Sequence, residues 1–219
     1  MATTWSQIGP AEASALPEST CCSATLFIFV SFPATPFGKH TPGDAASSRP
    51  HARPSESAPL IAILADTHMP RGARRLPERC VELIAAAEVV IHAGDFFAAS
   101  ALEEVKALCP VVHAVHGNVD EEPLRHSLPA ELEVEIGRRT VAITHDAGPA
   151  KGRLARLRRR FPAADAVVFG HSHLPLHEVE GGFQIFNPGS PTERRRAPRP
   201  SMGVLNRGKT GLAFEHVWL

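Results

Sequence analysis

A short apolar run followed directly by a polar cluster occurs five times between residues 60 and 173. The runs are rich in Val and Ile, which is typical of strands buried on both faces of a sheet. They read LIAILA, VVIHA, PVVHAVH, TVAIT and AVVF, and the clusters behind them are DTH, GD, GN, HD and GHSH. This pattern predicts an α/β fold in which each strand ends in a polar group.

The leading residues of the five clusters are evenly spaced along the chain. Asp66, Asp95, Asn118, His145 and His171 are separated by 29, 23, 27 and 26 residues. Each interval is about the length of a strand, a crossover and a return. Because ligands bind at the carboxyl ends of the strands in such sheets, we expect these five segments to converge on one rim.

Two of the crossovers carry the signals of amphipathic helices. The first helix is predicted over residues 77–87, opened by Pro77. The second is predicted over residues 100–108, with Ser100 as its N-cap.

Charge and cysteine usage exclude several classes of protein. The 23 basic and 23 acidic residues cancel, so no global field draws the chain to nucleic acid or to an anionic membrane. Cys21, Cys22, Cys80 and Cys109 form neither a CxxC pair nor a disulfide framework, which favours a reducing compartment and argues against thiolate metal ligands. We expect a cytoplasmic protein with no membrane or nucleic-acid partner; homo-oligomerisation stays open.

Residues 1–58 differ in composition from the rest of the chain. They are rich in Ala, Ser, Thr and Pro and show no sustained period, which predicts a disordered extension. The apolar run over residues 26–32 is too short to cross a bilayer, and no basic segment precedes it as in a secretory signal. A start codon assigned too far upstream explains the stretch equally well. The folded domain is expected over residues 59–219.

The polar clusters supply oxygen and nitrogen ligands for metal ions. Two carboxylates, one amide and four imidazoles suit Mn, Fe, Zn, Co or Ni better than Ca or Mg alone. Each motif is common by chance when taken singly, but five in one order, each behind a buried strand, predict one shared site. The candidate ligands are Asp66, His68, Asp95, Asn118, His145, His171 and His173.

Glycine stands directly before three of these candidate ligands. Gly94 precedes Asp95, Gly117 precedes Asn118 and Gly170 precedes His171. A residue without Cβ permits a tight turn and a close approach of the backbone to bound ions. We therefore expect these glycines to lie against the site.

The order of the motifs resembles that of the calcineurin-like metallophosphoesterases. Their pattern Asp-x-His, Gly-Asp, Gly-Asn, His and Gly-His-x-His is matched by DTH, GD, GN, TH and GHSH within residues 60–219. The segments GNVD at 117–120 and NPGSP at 187–191 are most similar to the small YfcE-type phosphodiesterases. The resemblance implies a four-layer α/β sandwich, with two facing β-sheets flanked by helices. Segments 202–205 and 212–218 would then be the last strands of the second sheet.

The resemblance also implies how the ligands divide between two divalent ions, with manganese expected ahead of nickel, cobalt, iron and zinc. A hydroxide bridging the ions would attack the phosphorus of a small phosphodiester or phosphomonoester, with Asp95, Asn118 and His145 as catalytic residues. Asp66, His68, Asp95 and His173 would surround one ion; Asp95, Asn118, His145 and His171 would surround the other, with Asp95 as the bridge.

Two positions differ from relatives with this motif order. Val119 stands where the larger phosphoprotein phosphatases place a proton-donating His, which disfavours protein phosphatase activity. Asp146 follows His145 where Gly is usual. This carboxylate could tune the site, hydrogen-bond a ligand or face solvent, and we favour the last.

Basic stretches and two histidines are the candidates for contacts around the metals. Residues 153–160 are predicted to form a helix with Leu154, Leu157 and Phe161 buried, and residues 194–196 are a second basic stretch. The second stretch lies closer in sequence to the expected rim. The candidate substrate neighbours are therefore Arg194, Arg195 and His116. His92 and His116 are each expected either to support the ligands or to be satisfied core residues.

Two other functions remain open beside a metal-dependent phosphodiesterase. The retromer subunit of this fold is a non-catalytic scaffold with an eroded metal site, whereas here all seven positions are filled. A nuclease acts on the same bond in a polymer, and the balanced charge disfavours it.

Overall fold

A computed structural model describes residues 60–208 and 211–219, with no side-chain description at 207 and 208. The predicted extension over residues 1–58, with Cys21 and Cys22, lies outside these ranges. Within the described ranges no helix is long and apolar enough to span a bilayer.

The described residues form ten strands and four helices. The strands are β1 (Leu60–Leu64), β2 (Val89–His92), β3 (Val112–Ala114), β4 (Glu131–Ile136), β5 (Arg139–Thr144), β6 (Ala166–Val168), β7 (Leu176–Glu180), β8 (Phe183–Asn187), β9 (Ser201–Gly208) and β10 (Gly211–Trp218). The helices are α1 (Glu78–Ala85), α2 (Ala99–Leu108), α3 (Glu122–Ser127) and α4 (Arg153–Arg160).

The strands make two mixed sheets of five strands each, in the orders β10-β9-β1-β2-β3 and β4-β5-β6-β8-β7. β1, β2 and β3 run parallel in the first sheet, and β5, β6 and β8 run parallel in the second. The remaining pairings are antiparallel. All five predicted strand runs are confirmed, and three belong to the first sheet and two to the second.

The described residues pack in four layers, namely α1 with α2, the first sheet, the second sheet and α4, which confirms the expected sandwich. Ile61 and Ile63 of β1 pack between the sheets, in one cluster with Ile143 of β5 and Val168 of β6. The alternate residues of β1 pack instead in the cluster that contains the buried side of α1 and α2. Because successive side chains of a strand point to opposite faces, β1 is apolar throughout.

The fourth layer is the helix α4 on the outer face of the second sheet. Leu157 and Phe161 are buried against Ala142 and Val167. The predicted helix over residues 153–160 is confirmed, and Leu154 is only partly buried.

The expected place of the last two strands is wrong. β9 pairs antiparallel with β1 of the first sheet, with Leu205 opposite Ile61, and β10 pairs with β9. The outer side of β8 is already occupied by β7, whereas the side of β1 facing away from β2 accepts a strand. The chain therefore returns to the first sheet after β8.

The predicted N-cap of the second helix is also wrong. α2 begins at Ala99 after Ala98, and Ser100 lies inside it. The amide of Ala99 donates instead to Glu121 Oε1 over 2.6 Å. A carboxylate from a distant segment therefore supplies the acceptor expected from Ser100. α1 begins at Glu78 after Pro77 and ends at Ala85, two residues earlier than predicted.

Candidate metal centre

The seven candidate ligands follow five strands that belong to both sheets. Those from the first sheet come after β1, β2 and β3, and those from the second come after β5 and β6. Since the sheets face each other, the ends of these strands bring the polar groups together. Two clusters have potential ligand atoms within 4.8 Å of one another: a first cluster of Asp66, His68 and His173, and a second cluster of Asp95, His145 and His171.

Asp95 belongs to the second cluster and also contacts the first. Its Oδ2 atom is 3.4 Å from Nε2 of His68 and 3.2 Å from Nε2 of His145. This oxygen therefore contacts an imidazole of each cluster, as a bridging ligand must.

Asn118 belongs with the second cluster. Its Oδ1 atom lies 3.1 Å from His145 Nε2 and 2.9 Å from His171 Nδ1. The two ring nitrogens are themselves 3.3 Å apart. An amide oxygen and two imidazole nitrogens thus point at one small volume beside Asp95.

Several buried polar atoms at the centre suit a metal ion. Asp66 Oδ2, His68 Nε2 and His173 Nε2 have no hydrogen-bond partner among the described residues. Each such buried atom costs about 1–3 kcal/mol when unsatisfied. All three belong to the first cluster, and carboxylate oxygen and imidazole nitrogen are suitable donors for divalent transition metals. The residues present therefore fit the expected cofactor.

Main-chain carbonyls orient two of the imidazoles. His145 Nδ1 donates to Ala93 O over 2.8 Å, and His173 Nδ1 donates to Glu193 O over 2.7 Å. A proton on Nδ1 leaves the lone pair on Nε2, which faces the centre. Such hydrogen bonds are the usual means of fixing a metal-binding tautomer.

The backbone is strained at most of the candidate ligands. Asp66, His68, Asp95, His171 and His173 have φ angles of 57°, 47°, 60°, 68° and 57°. Non-glycine residues occupy this left-handed region rarely, and such strain concentrates at functional sites.

The pKa values of the two candidate carboxylates are shifted in opposite directions, that of Asp66 upward and that of Asp95 downward. Burial raises the pKa of Asp66 to about 7. Burial also disfavours the charged form of Asp95, but the close contacts of its carboxylate with His145 at 3.2 Å and His68 at 3.4 Å outweigh burial and hold the pKa of Asp95 well below its usual range. Asp95 therefore stays ionised, whereas Asp66 in the metal-free centre holds a proton below about pH 7.

The histidines respond to the same environment. Burial lowers the pKa of His173 to about 4. Burial lowers the pKa of His145, but the hydrogen bond to Asp95 and the negative charges of Asp66 and Asp95 raise it by more, so the pKa lies above its ordinary value. His173 is thus neutral near pH 7, and His145 competes with a metal ion for a proton more strongly than an ordinary histidine.

A cavity of about 380 Å³ opens on the second cluster. Its described walls include His116, Asn118, Arg125, His145, Arg160 and His171. A larger cavity of about 540 Å³ is lined by Arg71, Arg74 and Arg75. None of the described residues around that larger cavity is a candidate ligand, so the smaller one is the candidate substrate pocket.

The predicted substrate neighbours fall on different sides of the centre. His116 lines the smaller cavity and follows β3 rather than lying on it. Arg194 and Arg195 are exposed, and neither is among the described residues of that cavity. Arg194 donates to Ala197 O over 2.9 Å. Asp146 is exposed, as predicted.

The family model of the calcineurin-like phosphoesterase superfamily domain matches residues 60–209. The chain belongs to the calcineurin-like phosphoesterase superfamily. This confirms the resemblance carried by the DTH, GD, GN, TH and GHSH motifs.

Relatives within the superfamily extend over most of the described chain. A probable metallophosphoesterase of Methanothermobacter thermautotrophicus is 33% identical over 151 residues, which are 67% of this chain and 84% of the relative. The structure of Chaetomium thermophilum Vps29 has a TM-score of 0.60 at 17% identity and covers 72% of this chain and 96% of its own. A structure described as a novel archaeal phosphodiesterase has a TM-score of 0.58 at 22% identity and covers 73% and 99%. These two structures show the shared phosphoesterase fold.

Sequence reasoning missed the role of Asp120 beside the candidate metal centre. The carboxylate is buried and accepts the amides of Asp95, Phe97 and Gly117 over 3.1, 2.7 and 2.7 Å. The one sequence feature that could have pointed to Asp120 was its position at the end of the GNVD segment. Three amides from two separate loops identify it as the residue that holds these loops together.

The NPGSP loop also supports the centre, a role that its sequence did not reveal. Ser190 Oγ donates to Asp66 O over 2.8 Å and accepts the Glu193 amide over 2.9 Å. Thr192, the residue directly after NPGSP, donates through Oγ1 to Thr67 O over 2.6 Å. The loop therefore binds the main chain of the strained DTH segment.

His92 is a core histidine beside the candidate metal centre. It is fully buried, its Nε2 lies 3.2 Å from Thr67 Oγ1, and its ring stacks on Phe96. Burial lowers its pKa to about 3, so the ring is neutral. The contacts place His92 in the core, where it touches the DTH segment through Thr67, and its Nδ1 has no hydrogen-bond partner among the described residues.

Proposed function

We propose that this chain is a metal-dependent phosphodiesterase of small substrates that binds two divalent ions, with manganese as the preferred metal. The observation that carries the proposal is the position of Asp95 Oδ2 between His68 and His145, at 3.4 and 3.2 Å. One carboxylate shared by two clusters is the arrangement that a dinuclear centre requires. The archaeal neighbour described as a phosphodiesterase supports the substrate class by analogy.

The ligands divide as the motif resemblance implied. Asp66, His68 and His173 would hold the first ion, Asn118, His145 and His171 would hold the second, and Asp95 would be shared by both. When bound, the two ions supply a nucleophile at neutral pH and neutralise charge that develops on the phosphoryl oxygens. The chain's own residues fix the separation of the two clusters, because their strained loops are anchored by Asp120 and by the NPGSP loop.

The size of the pocket supports a small substrate over a polymer. Its volume of about 380 Å³ lies at the lower end of the roughly 300–1,000 Å³ typical of small-molecule sites. The balanced charge of the whole chain supplies no general attraction for a nucleic-acid backbone. Free, buried thiols at Cys80 and Cys109 are consistent with a reducing, cytoplasmic location.

A non-catalytic scaffold is the second candidate, because several solved structures of this fold are Vps29 proteins. A scaffold needs no preserved ligand set. The buried, unpartnered atoms of Asp66, His68 and His173 favour the enzyme, since they destabilise the fold unless an ion binds them.

The test is a metal screen on protein stripped of metal and reloaded with Mn, Ni, Co, Zn or Mg. Each form is assayed with p-nitrophenyl phosphate, bis(p-nitrophenyl) phosphate and a short oligonucleotide, and bound metal is measured by mass spectrometry. We expect two ions per chain and the fastest turnover of the diester with Mn. Faster monoester or oligonucleotide cleavage would replace the phosphodiesterase assignment. No bound metal and no turnover would support the scaffold.

A further inference from the structure

The pocket beside the second cluster has a cationic wall that the proposed chemistry does not use. Asn118, His145 and His171 form the end of the pocket that contains the candidate ligands. Arg125 and Arg160 also line this pocket. A phosphoryl group held at the ligands would therefore leave part of the cavity, with these cations, to the rest of the substrate.

The charged side chains that line the pocket differ in whether they have partners within the protein. Arg160 forms an ion pair with Glu131, and its Nη1 donates to Asp146 O over 3.1 Å. The carboxylate of Asp146 accepts the Gly148 amide over 2.7 Å. Arg125, by contrast, forms no ion pair and no side-chain hydrogen bond with any residue in the described ranges. Arg125 is therefore the cation on this wall that is free to bind a ligand.

The helix that carries Arg125, α3, packs on the core and is hydrogen-bonded to the start of α2. Leu124 is buried in the cluster beneath α1 and α2. Glu121, at the start of α3, accepts the Arg125 amide through its main-chain oxygen and the Ala99 amide through its side chain. Leu124 thus packs in the core while Arg125, the next residue, lines the pocket.

We propose that Arg125 forms an anion subsite, so that the preferred substrate carries a second anionic group besides the phosphoryl group at the metals. This proposal rests on the proposed phosphodiesterase function and names its substrate class. The second group is a phosphate or a carboxylate, because a guanidinium binds both through paired N–H donors. Asp146 also lines the pocket, and its carboxylate keeps its charge while accepting the Gly148 amide. A second anion is therefore expected to bind at Arg125 and to be repelled by Asp146.

The test compares p-nitrophenyl phosphodiesters whose second alcohol ends in a hydroxyl, a carboxylate or a phosphate. Wild type, Arg125→Ala, Arg125→Lys and Arg138→Ala are assayed in the metal-loaded form. Arg138 is an exposed arginine in the turn between β4 and β5 and serves as the matched control. Binding of the corresponding non-hydrolysable phosphonates is measured by calorimetry with the same four proteins.

We expect Arg125→Ala to lower kcat/KM at least about ten-fold for the anionic substrates, mainly through KM, as loss of a charge-assisted hydrogen bond predicts. The hydroxyl substrate should change less than about two-fold, Arg125→Lys should recover part of the loss, and Arg138→Ala should match wild type. The relative loss on the carboxylate and phosphate substrates identifies the second group.

An equal effect on all three substrates, or none, would overturn the subsite. If wild type turns over none of them, the proposed function fails and phosphonate binding decides the subsite separately. Tighter binding of the anionic phosphonates that is lost in Arg125→Ala would support it, and equal affinities would refute it.

Discussion

The carboxylate of Asp120 accepts the main-chain amide of Asp95 over 3.1 Å and so holds the candidate bridging residue in a left-handed conformation with φ of 60°. The same Oδ2 atom accepts the Gly117 amide over 2.7 Å. Asp120 therefore links the loop after β2 to the loop after β3. The geometry of the bridge depends on a residue that is not itself a candidate ligand.

Replacing Asp120 with Asn should loosen this link. The variant removes the charge and one of the two acceptor oxygens, so we expect a loss of about 1–3 kcal/mol in the free energy of unfolding. Metal affinity should fall about 10–100-fold, as for other residues that orient ligands. Urea denaturation and metal titration measure the two effects. Asp165→Asn is the control, because Asp165 accepts the Thr140 amide in the second sheet, just before β6, whereas Asp120 joins the loops after β2 and β3 of the first sheet. Equal metal affinities in the two variants would contradict the proposed role.

Replacing Asp95 with Asn should abolish metal-dependent hydrolysis and leave the fold intact. The amide keeps the size of the side chain but lacks the negative charge that a shared ligand needs to hold two cations together. We expect fewer than two bound ions and turnover at the rate without enzyme. Circular dichroism checks the fold, and Glu178→Gln, at an exposed carboxylate of β7, should retain full activity. Wild-type turnover by Asp95→Asn would rule out the bridge.

Metal affinity should increase with pH up to about pH 7. In the metal-free protein burial raises the pKa of Asp66 from 3.8 to about 7, so below that pH an ion must displace a proton from the carboxyl group. The raised pKa of His145 acts in the same direction. His173, with a pKa of about 4, is already neutral and does not compete. Calorimetry in buffers of different ionisation enthalpy should show protons released on binding near pH 6, and their absence would contradict a protonated Asp66.

The protonated Asp66 should also stabilise the metal-free fold at low pH. Its pKa is higher in the folded protein than its ordinary value of 3.8, so this contribution is complete below about pH 3.8 and is lost as the pH rises to about 7. His173 acts oppositely over part of this range, since its lowered pKa favours the fold only as the pH rises. The difference in unfolding free energy between wild type and Asp66→Asn isolates the first contribution, and it should fall with rising pH.

Replacing Gly117 with Ala should displace Asp95. An added Cβ would overlap with the Asp95 carboxylate and its main-chain nitrogen. Because φ at Gly117 is not in the positive region, the effect is steric rather than conformational. We expect a loss of roughly 1–3 kcal/mol in stability and weaker metal binding. In Gly182→Ala, at φ of 84° with open space around it, the conformational cost of about 1 kcal/mol should appear with no change in metal binding.

The helices show what local pattern predicts and what it does not. The existence of α1, α2 and α4 followed from apolar spacing within a few turns, because each buries one side against a sheet. The N-cap of α2 did not, since Glu121 replaces Ser100 as the acceptor for its first amide. That contact depends on where α3 lies relative to α2, which no neighbouring residue specifies.

By itself the sequence determined the buried strand runs and the candidate ligand placed at the end of each one. Those features depend on neighbouring residues: a continuous apolar run needs burial on both faces, and the residue that follows it lies at the end of the strand. Only the tertiary structure decided that β9 joins β1, that Asp95 contacts a histidine of each of two clusters drawn from both sheets, and that Asp120 and the NPGSP loop hold the strained loops. These contacts join segments that are distant along the chain, and their distances arise only when the two sheets pack face to face.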